Sequence, residues 1–291
     1  MKSLRHFVVP VPNWSLLFRT RGRSKNSSSS RVTARDSMQR LYAVAVNTFR
    51  ETLRDKILYN LVLFAVLLIG SSVLLGTLTI GEQARIVNDL GLAAINLVAV
   101  IIAIFVGIGL VSKEIERRTI YTLLARPITR AQFVLGKYLG LALVILVNIG
   151  IMFAMFLATV KLSGHPIHAS LFQAVELMLV EALLVMAFAL LFSTFSSSIL
   201  SATLTLGIYV IGHLTSDLKT IAEKNTSGVI KSLTTTLYYA FPNLETLNIK
   251  GQSAAGISVD LGFQLIATTY GLLYTGLLLV GACLIFQRRD F

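Results

Sequence analysis

The chain has 291 residues, 55% of them hydrophobic and 14% charged, with a mean hydropathy of +0.75. Soluble domains carry about a quarter charged residues, so these values exclude one and indicate an all-α polytopic membrane protein. The formal net charge of +12 would suit nucleic acid only as a basic stripe on a soluble fold, and here the basic residues fall between apolar runs, so no nucleic-acid partner is expected.

Residues 1–37 include RTRGRSKNSSSSR, basic and serine-rich with little apolar content, a composition expected to stay disordered. FVVPVPNWSLLF (Phe7 to Phe18) is too short and too broken by proline for a secretory signal. Met38 opens MQRLYAVAVNTFRETLRDK, a natural cytoplasmic start, so the tail is either an extension that does little or a contact for anionic lipid. Residues 38–291 then form the membrane domain. Between Tyr42 and Lys56, the apolar residues Val46, Phe49 and Leu53, continued by Ile57, recur at helical spacing opposite Asn47, Arg50, Glu51, Arg54 and Asp55. That pattern suits a helix lying in the membrane interface, or an extension of the first span.

A helix needs roughly 20 apolar residues to cross the hydrocarbon core. Six stretches qualify, approximately Ile57 to Ile80, Leu90 to Ser112, Tyr138 to Val160, Ala169 to Phe195, Ser196 to Leu214 and Leu261 to Phe286. With six spans both termini share a side, and that side carries 20 of the 26 Lys and Arg residues. Because basic loops stay cytoplasmic, both termini are expected in the cytoplasm and the protein in the plasma (inner) membrane. The single cysteine, Cys283, lies in the last apolar run, leaving no intrachain disulfide or cysteine metal site.

The second and third runs are joined by KEIERRTIYTLLARPITRAQFVLGK, Lys113 to Lys137, with eight charges and a proline. Lys113 to Leu124 continues the helical period of the second span, and Pro127 ends it by removing a donor and disfavouring helix at Arg126. Thr129 to Gln132 (TRAQ) matches a capping box for the next helix. Helix, sharp turn and new helix make a firm elbow. Gly136 and Gly140 have GxxxG spacing, a signal for close helix packing. No GxxxxGK[ST] phosphate loop is formed at Gly136–Lys137, since Ala131 and Tyr138 occupy the flanking motif positions, so no ATP is expected to bind this chain by that motif.

Glu176 and Glu181 fall inside the fourth run, where a carboxylate is costly enough to mark a candidate pathway-lining or structural residue. Five residues at 100° each set them about 140° apart, so they do not form one acid pair. Glu176 is placed to reach water or His168, whereas the deeper Glu181 needs a protein partner or a proton. Asn96 and Asn148 read as interhelical hydrogen-bond partners. The external stretch 215–262 is too long for a turn and too polar to span. Its apolar residues, among them Ile221, Val229, Leu237 and Phe241, suggest short helices on or in the outer leaflet, ended by Pro242.

The elbow KEIERRTIYTLLARPITRAQFVLGKYLG, with NTFRETLRDKILYNLVLFA before it and YYAFPNLETLN near the last span, resembles ABC-2 type transporter permeases, in the NosY-like branch, over residues 38 to 291. The resemblance implies a permease subunit that exports a substrate with ATP hydrolysed by a separate ABC ATP-binding subunit. It also implies pairing with a second copy or a similar permease in the lipid bilayer, with no cofactor. Its elbow would act as a coupling helix, with Glu114, Glu116, Arg117, Arg118 and Thr119 contacting the ATPase and Arg126, Pro127 and Arg130 shaping the turn. The alternatives are a membrane-embedded enzyme, for which the chain offers no HExxH and only GQSAAG and a weak His165–His168 pair, or a non-transporting scaffold.

Overall fold

The computed structural model describes residues 29–54, 56–77, 81–116, 129–215, 232, 236 and 241–288, with side-chain surroundings at 38–54, 58–77, 81–109, 129–215, 232, 236 and 241–288. The described residues form eight α-helices: α1 (Ser29–Leu53), α2 (Lys56–Thr77), α3 (Gln83–Glu116), α4 (Arg130–Leu162), α5 (Ala169–Ser193), α6 (Ser198–His213), α7 (Lys250–Ala254) and α8 (Leu261–Arg288). Residues 40–291 pack as one unit.

Helix α1 starts at Ser29, so residues 29–37 of the tail expected to be disordered are helical, while 1–28 lie outside the described residues. It ends at Leu53 and is separated from α2 by a turn at Arg54, so it is a helix of its own and does not run on into the first span. Its Leu41–Thr48 stretch crosses the two glycines of α4. A Cβ at Gly136 would fall 2.8 Å from Val44 Cβ, and one at Gly140 would fall 2.9 Å from Thr48 Cβ and into the backbone of Ala45. The GxxxG spacing therefore serves close backbone approach, where packing, not hydrophobicity, holds helices together in lipid.

Helices α3 and α5 form the centre, packed against each other, with α2 and α4 against α3 and with α8 against α5. Small residues let the central pair approach: a Cβ at Gly107 would meet Ala189 Cβ at 2.7 Å and the Met186 carbonyl at 3.0 Å. Outward faces are apolar as lipid requires, with Leu63, Leu67 and Leu74 exposed on α2 and Leu265, Leu273 and Leu277 on α8. On the central pair, Ile95, Ile102, Leu177, Leu184 and Met186 are fully enclosed.

Among the described residues five helices are long and apolar enough to cross a membrane: Leu58–Thr77, Gln83–Gly109, Arg130–Leu162, Ala169–Ser193 and Leu261–Arg288. The expected fifth run is a shorter apolar helix, α6, of 16 residues. At 1.5 Å per residue it reaches about 24 Å, short of the ~30 Å hydrocarbon core. Beyond its end, Leu244 N–H donates to the Gly212 carbonyl at 3.1 Å, and a Cβ at Gly212 would meet Leu244 at 2.7 Å. The returning chain is thus seated on the end of α6.

From there residues 241–254 thread between helices. Leu244, Leu247, Ile249 and Ala254 are buried, Ser253 and Ser170 exchange hydroxyl-to-carbonyl hydrogen bonds at 3.0 and 3.2 Å, and α7 packs on α3 and α5. This buried stretch begins after Pro242, where the short helices expected on or in the outer leaflet were to end. Ile221, Val229 and Leu237 lie outside the described residues.

Candidate functional site

Glu181 occupies the middle of α5, twelve residues from either end, and is fully buried. A helix this apolar tolerates a carboxylate there only if neighbouring helices bring polar groups to it. Three elements do. From α6, His213 Nε2 lies 3.2 Å from Glu181 Oε1. From α3, the Asn96 amide, turned as its neighbours' chemistry requires, donates to Glu181 Oε2 at 3.2 Å. The same amide's oxygen accepts from Lys250 Nζ, at the start of α7, at 2.6 Å. The Tyr209 hydroxyl stands 3.4 Å from that amide. Glu245 lies close by in the turn before α7, and both of its carboxylate oxygens accept from Asn248 Nδ2 at 3.1 Å. The cluster therefore joins α3, α5, α6 and the returning chain around one buried acid.

Glu176, five residues earlier, points elsewhere and is exposed, accepting from Gln264 Nε2 and, at 3.1 Å, from the Thr268 hydroxyl, both on α8. Gln173 extends this ladder, donating to Gln264 Oε1 at 2.8 Å and to the Val259 carbonyl at 3.1 Å. The two glutamates thus serve separate surroundings, as their helical offset required. Glu176's partners are Gln264 and Thr268, not His168, whose ring packs near Gly256. Asn148 donates to Val144 of its own helix at 2.8 Å and makes no interhelical bond among the described residues, whereas Asn96 does bridge helices.

At the elbow, α3 continues as helix through Glu114 and Glu116, and Arg117, Arg118, Thr119, Arg126 and Pro127 lie outside the described residues. The start of α4 carries the capping box: Gln132 N–H donates to Thr129 Oγ1 at 3.2 Å and Thr129 N–H to Gln132 Oε1 at 3.1 Å. Arg130 reaches sideways to the end of α8, donating to the carbonyls of Phe286 at 3.3 Å and Gln287 at 3.1 Å. Phe133 and Phe286 stack with centroids 6.3 Å apart. Arg130 thereby satisfies carbonyls that the last turn of a helix leaves unpaired.

A family model described as ABC-2 family transporter protein matches residues 42–291, most of the chain and all of its crossing helices. The chain belongs to the ABC-2 transporter family. Among curated proteins no relative matches it. As a family member it is a membrane-embedded, permease-type, non-catalytic component. Among its described residues no group of three or more His, Cys, Asp or Glu is arranged to hold a metal ion.

Four members of the ABC-2 chain's polar cluster were not singled out by sequence reasoning, and His213 and Lys250 are the two that carry positive charge when protonated. For His213 a signal existed. A buried Glu calls for a cationic or donor partner, and His213 is the one Lys, Arg or His inside the six apolar runs. Lys250 had no such signal, because it sits in a polar segment whose insertion between helices depends on the scattered burial of Leu244, Leu247 and Ile249.

Proposed function

We propose that this ABC-2 protein is the permease subunit of an ABC exporter, of the NosY-like branch, driven by ATP hydrolysed on a separate ATP-binding subunit. The family match over residues 42–291 carries the reading, and family permeases generically pair with such a subunit. The sequence supports the division of labour through its lack of a phosphate loop.

In this reading the Lys113–Lys137 connection is the coupling elbow. α3 and α4 have 34 and 33 residues, about 50 Å each at 1.5 Å per residue, against roughly 30 Å of hydrocarbon. Their surplus favours carrying the connection clear of the lipid. Glu114, Glu116, Arg117, Arg118 and Thr119 contact the ATPase. Arg126 and Pro127 set the turn, and Arg130 ties the new helix to α8, so a push on the elbow is transmitted to the last span as well as to α4. Counting α6 with the chain seated on its end gives six crossings, and the basic bias then puts both termini in the cytoplasm and the protein in the plasma membrane. Two such permeases enclose the path, with Glu176 and Glu181 as pathway-lining or structural acids.

The test reverses charge at the elbow with Glu114→Lys and Glu116→Lys together. Juxtaposed like charges cost several kcal/mol at an interface. The expected outcome is normal membrane abundance with lost ATPase copurification, or retained copurification with lost transport. Unchanged binding and transport would return the loop to an ordinary basic connector, and a chain that never copurifies with an ATPase would favour a scaffold.

A further inference from the structure

We propose that Glu181 and His213 together form a binding site for one proton at the middle of the membrane domain. The argument rests on what each atom can donate or accept. His213 Nδ1 lies 3.1 Å from the Tyr209 carbonyl oxygen, an atom that only accepts. His213 Nε2 lies 3.2 Å from Glu181 Oε1, which also only accepts while the carboxylate is ionised. A neutral imidazole has a single N–H. Beside an ionised Glu181, whichever tautomer it adopts leaves two lone pairs facing each other across about 3 Å at one end of the ring. Tyr209 O cannot supply the missing hydrogen.

One additional proton removes the conflict. It is held either as imidazolium with carboxylate, or as neutral imidazole whose Nε2 accepts from a protonated Oε1. The two forms have the same proton count and the same zero net charge, and they interconvert by moving the proton between Nε2 and Oε1 alone. Nothing else satisfies these atoms: Glu181 Oε1 and His213 Nε2 are buried, and no hydrogen bond reaches either of them among the described residues. Asn96 occupies the second carboxylate oxygen, Oε2, so the proton is directed to the Oε1 side.

The surrounding charges fit this count. Lys250 approaches from α7 onto the Asn96 amide, Glu245 stands in the preceding turn, and the Tyr209 hydroxyl lies beside Asn96. With the proton bound, the Glu181–His213 pair is neutral, and the remaining Lys250 and Glu245 charges are opposite in sign. Removing it leaves a net negative pair in a water-poor interior, where an unbalanced charge is costly. Because His213 ends α6 and Gly212 beside it receives the returning chain, occupancy of the site is tied to how that chain seats.

The site can be read directly by solid-state NMR on the full chain in lipid bilayers, with histidine ring nitrogens labelled. The chain has four histidines. One is expected to retain a second ring proton, or an Nε2 bonded to a carboxylic acid, under conditions where solvated imidazoles are neutral. That signal should vanish in His213→Gln. It should revert to an ordinary neutral imidazole in Glu181→Gln, whose amide donates to Nε2 without an extra proton. Should either variant fail to accumulate, the wild-type spectrum still decides. Four ordinary neutral imidazoles above about pH 8, well past the usual histidine range, would overturn the proposal, as would a doubly protonated His213 indifferent to Glu181→Gln.

Discussion

Truncation of the two glutamates of α5 should have very different consequences. Glu181→Ala strips a fully buried acceptor from His213 Nε2 at 3.2 Å and from the Asn96 amide at 3.2 Å, and it leaves Lys250 beside an amide with no acid behind it. Breaking a buried ion pair by removing one partner costs about 3–5 kcal/mol, and a stranded neutral donor adds about 1 kcal/mol or more. A loss of at least about 4 kcal/mol is therefore expected. At roughly 2–4 °C per kcal/mol for a chain of this size, that lowers the melting temperature by about 10 °C. Glu176→Ala removes only exposed contacts to Gln264 and Thr268, for an expected loss within about 1 kcal/mol. Glu181→Gln should fall between the two, because its amide can still accept from Asn96 and donate to His213. The assay is thermal unfolding of each purified variant in one detergent at one pH, followed by transport at matched membrane abundance, where Glu181→Gln is expected to impair function more than Glu176→Gln. Equal melting shifts for the two alanine variants would refute the claim that Glu181 organises the cluster.

Gly140→Leu should force α1 off α4, since even its Cβ would fall 2.9 Å from Thr48 Cβ, whereas a Cβ at Gly150 meets nothing within 4 Å and Gly150→Leu serves as the control. An overpacking loss of about 1–3 kcal/mol should appear as faster protease cleavage within α1, and equal cleavage in both variants would contradict the packing. Arg130→Ala should loosen the last turn of α8, read as faster hydrogen exchange at Phe286–Arg288 with the rest of α8 unchanged. Thr129→Ala should cost about 1 kcal/mol through loss of the α4 cap, measured by the same unfolding assay. Crosslinking in native membranes should trap a dimer or a permease heterodimer, and a strictly monomeric transporting species would contradict the paired pathway.

What could be foreseen depended on how local its cause was. The capping box needed only Thr129 and Gln132, and the close approach at Gly136 and Gly140 needed only their four-residue spacing. The cost of a carboxylate in an apolar helix marked Glu181 without any knowledge of its neighbours. The first turns of α3 were hidden, because Arg85 and Asp89 depress hydropathy although both point away from the core. Asn148 was misjudged because its bond to Val144 satisfies it within one helix, an outcome that composition does not distinguish from a bridge. The burial of 241–254 was least visible. It follows neither the helical nor the strand period, and its apolar residues find partners only after α3, α5 and α6 are in place.

The shortness of α6 and the polar cluster beside it have one physical cause. A helix that stops inside a membrane leaves its last carbonyls unpaired where no water is at hand, at several kcal/mol apiece. Here several of those near the end of α6 are met: Tyr209 O by His213 Nδ1, Val210 O and Ile211 O by Leu214 N–H at 3.2 and 3.1 Å, and Gly212 O by Leu244 N–H, with the one Thr215 hydroxyl placed between Gly212 O at 2.8 Å and Ile211 O at 3.1 Å. The returning chain that supplies Leu244 also supplies Lys250, and the negative end of the helix dipole favours cationic groups such as Lys250 and a protonated His213. Glu181 then balances the charge these donors bring. The short helix, the inserted chain and the buried acid therefore depend on one another, so a substitution at any of Glu181, His213 or Leu244 should disturb the seating of the other two, whereas Glu176, on its separate ladder with α8, should stand outside that coupling.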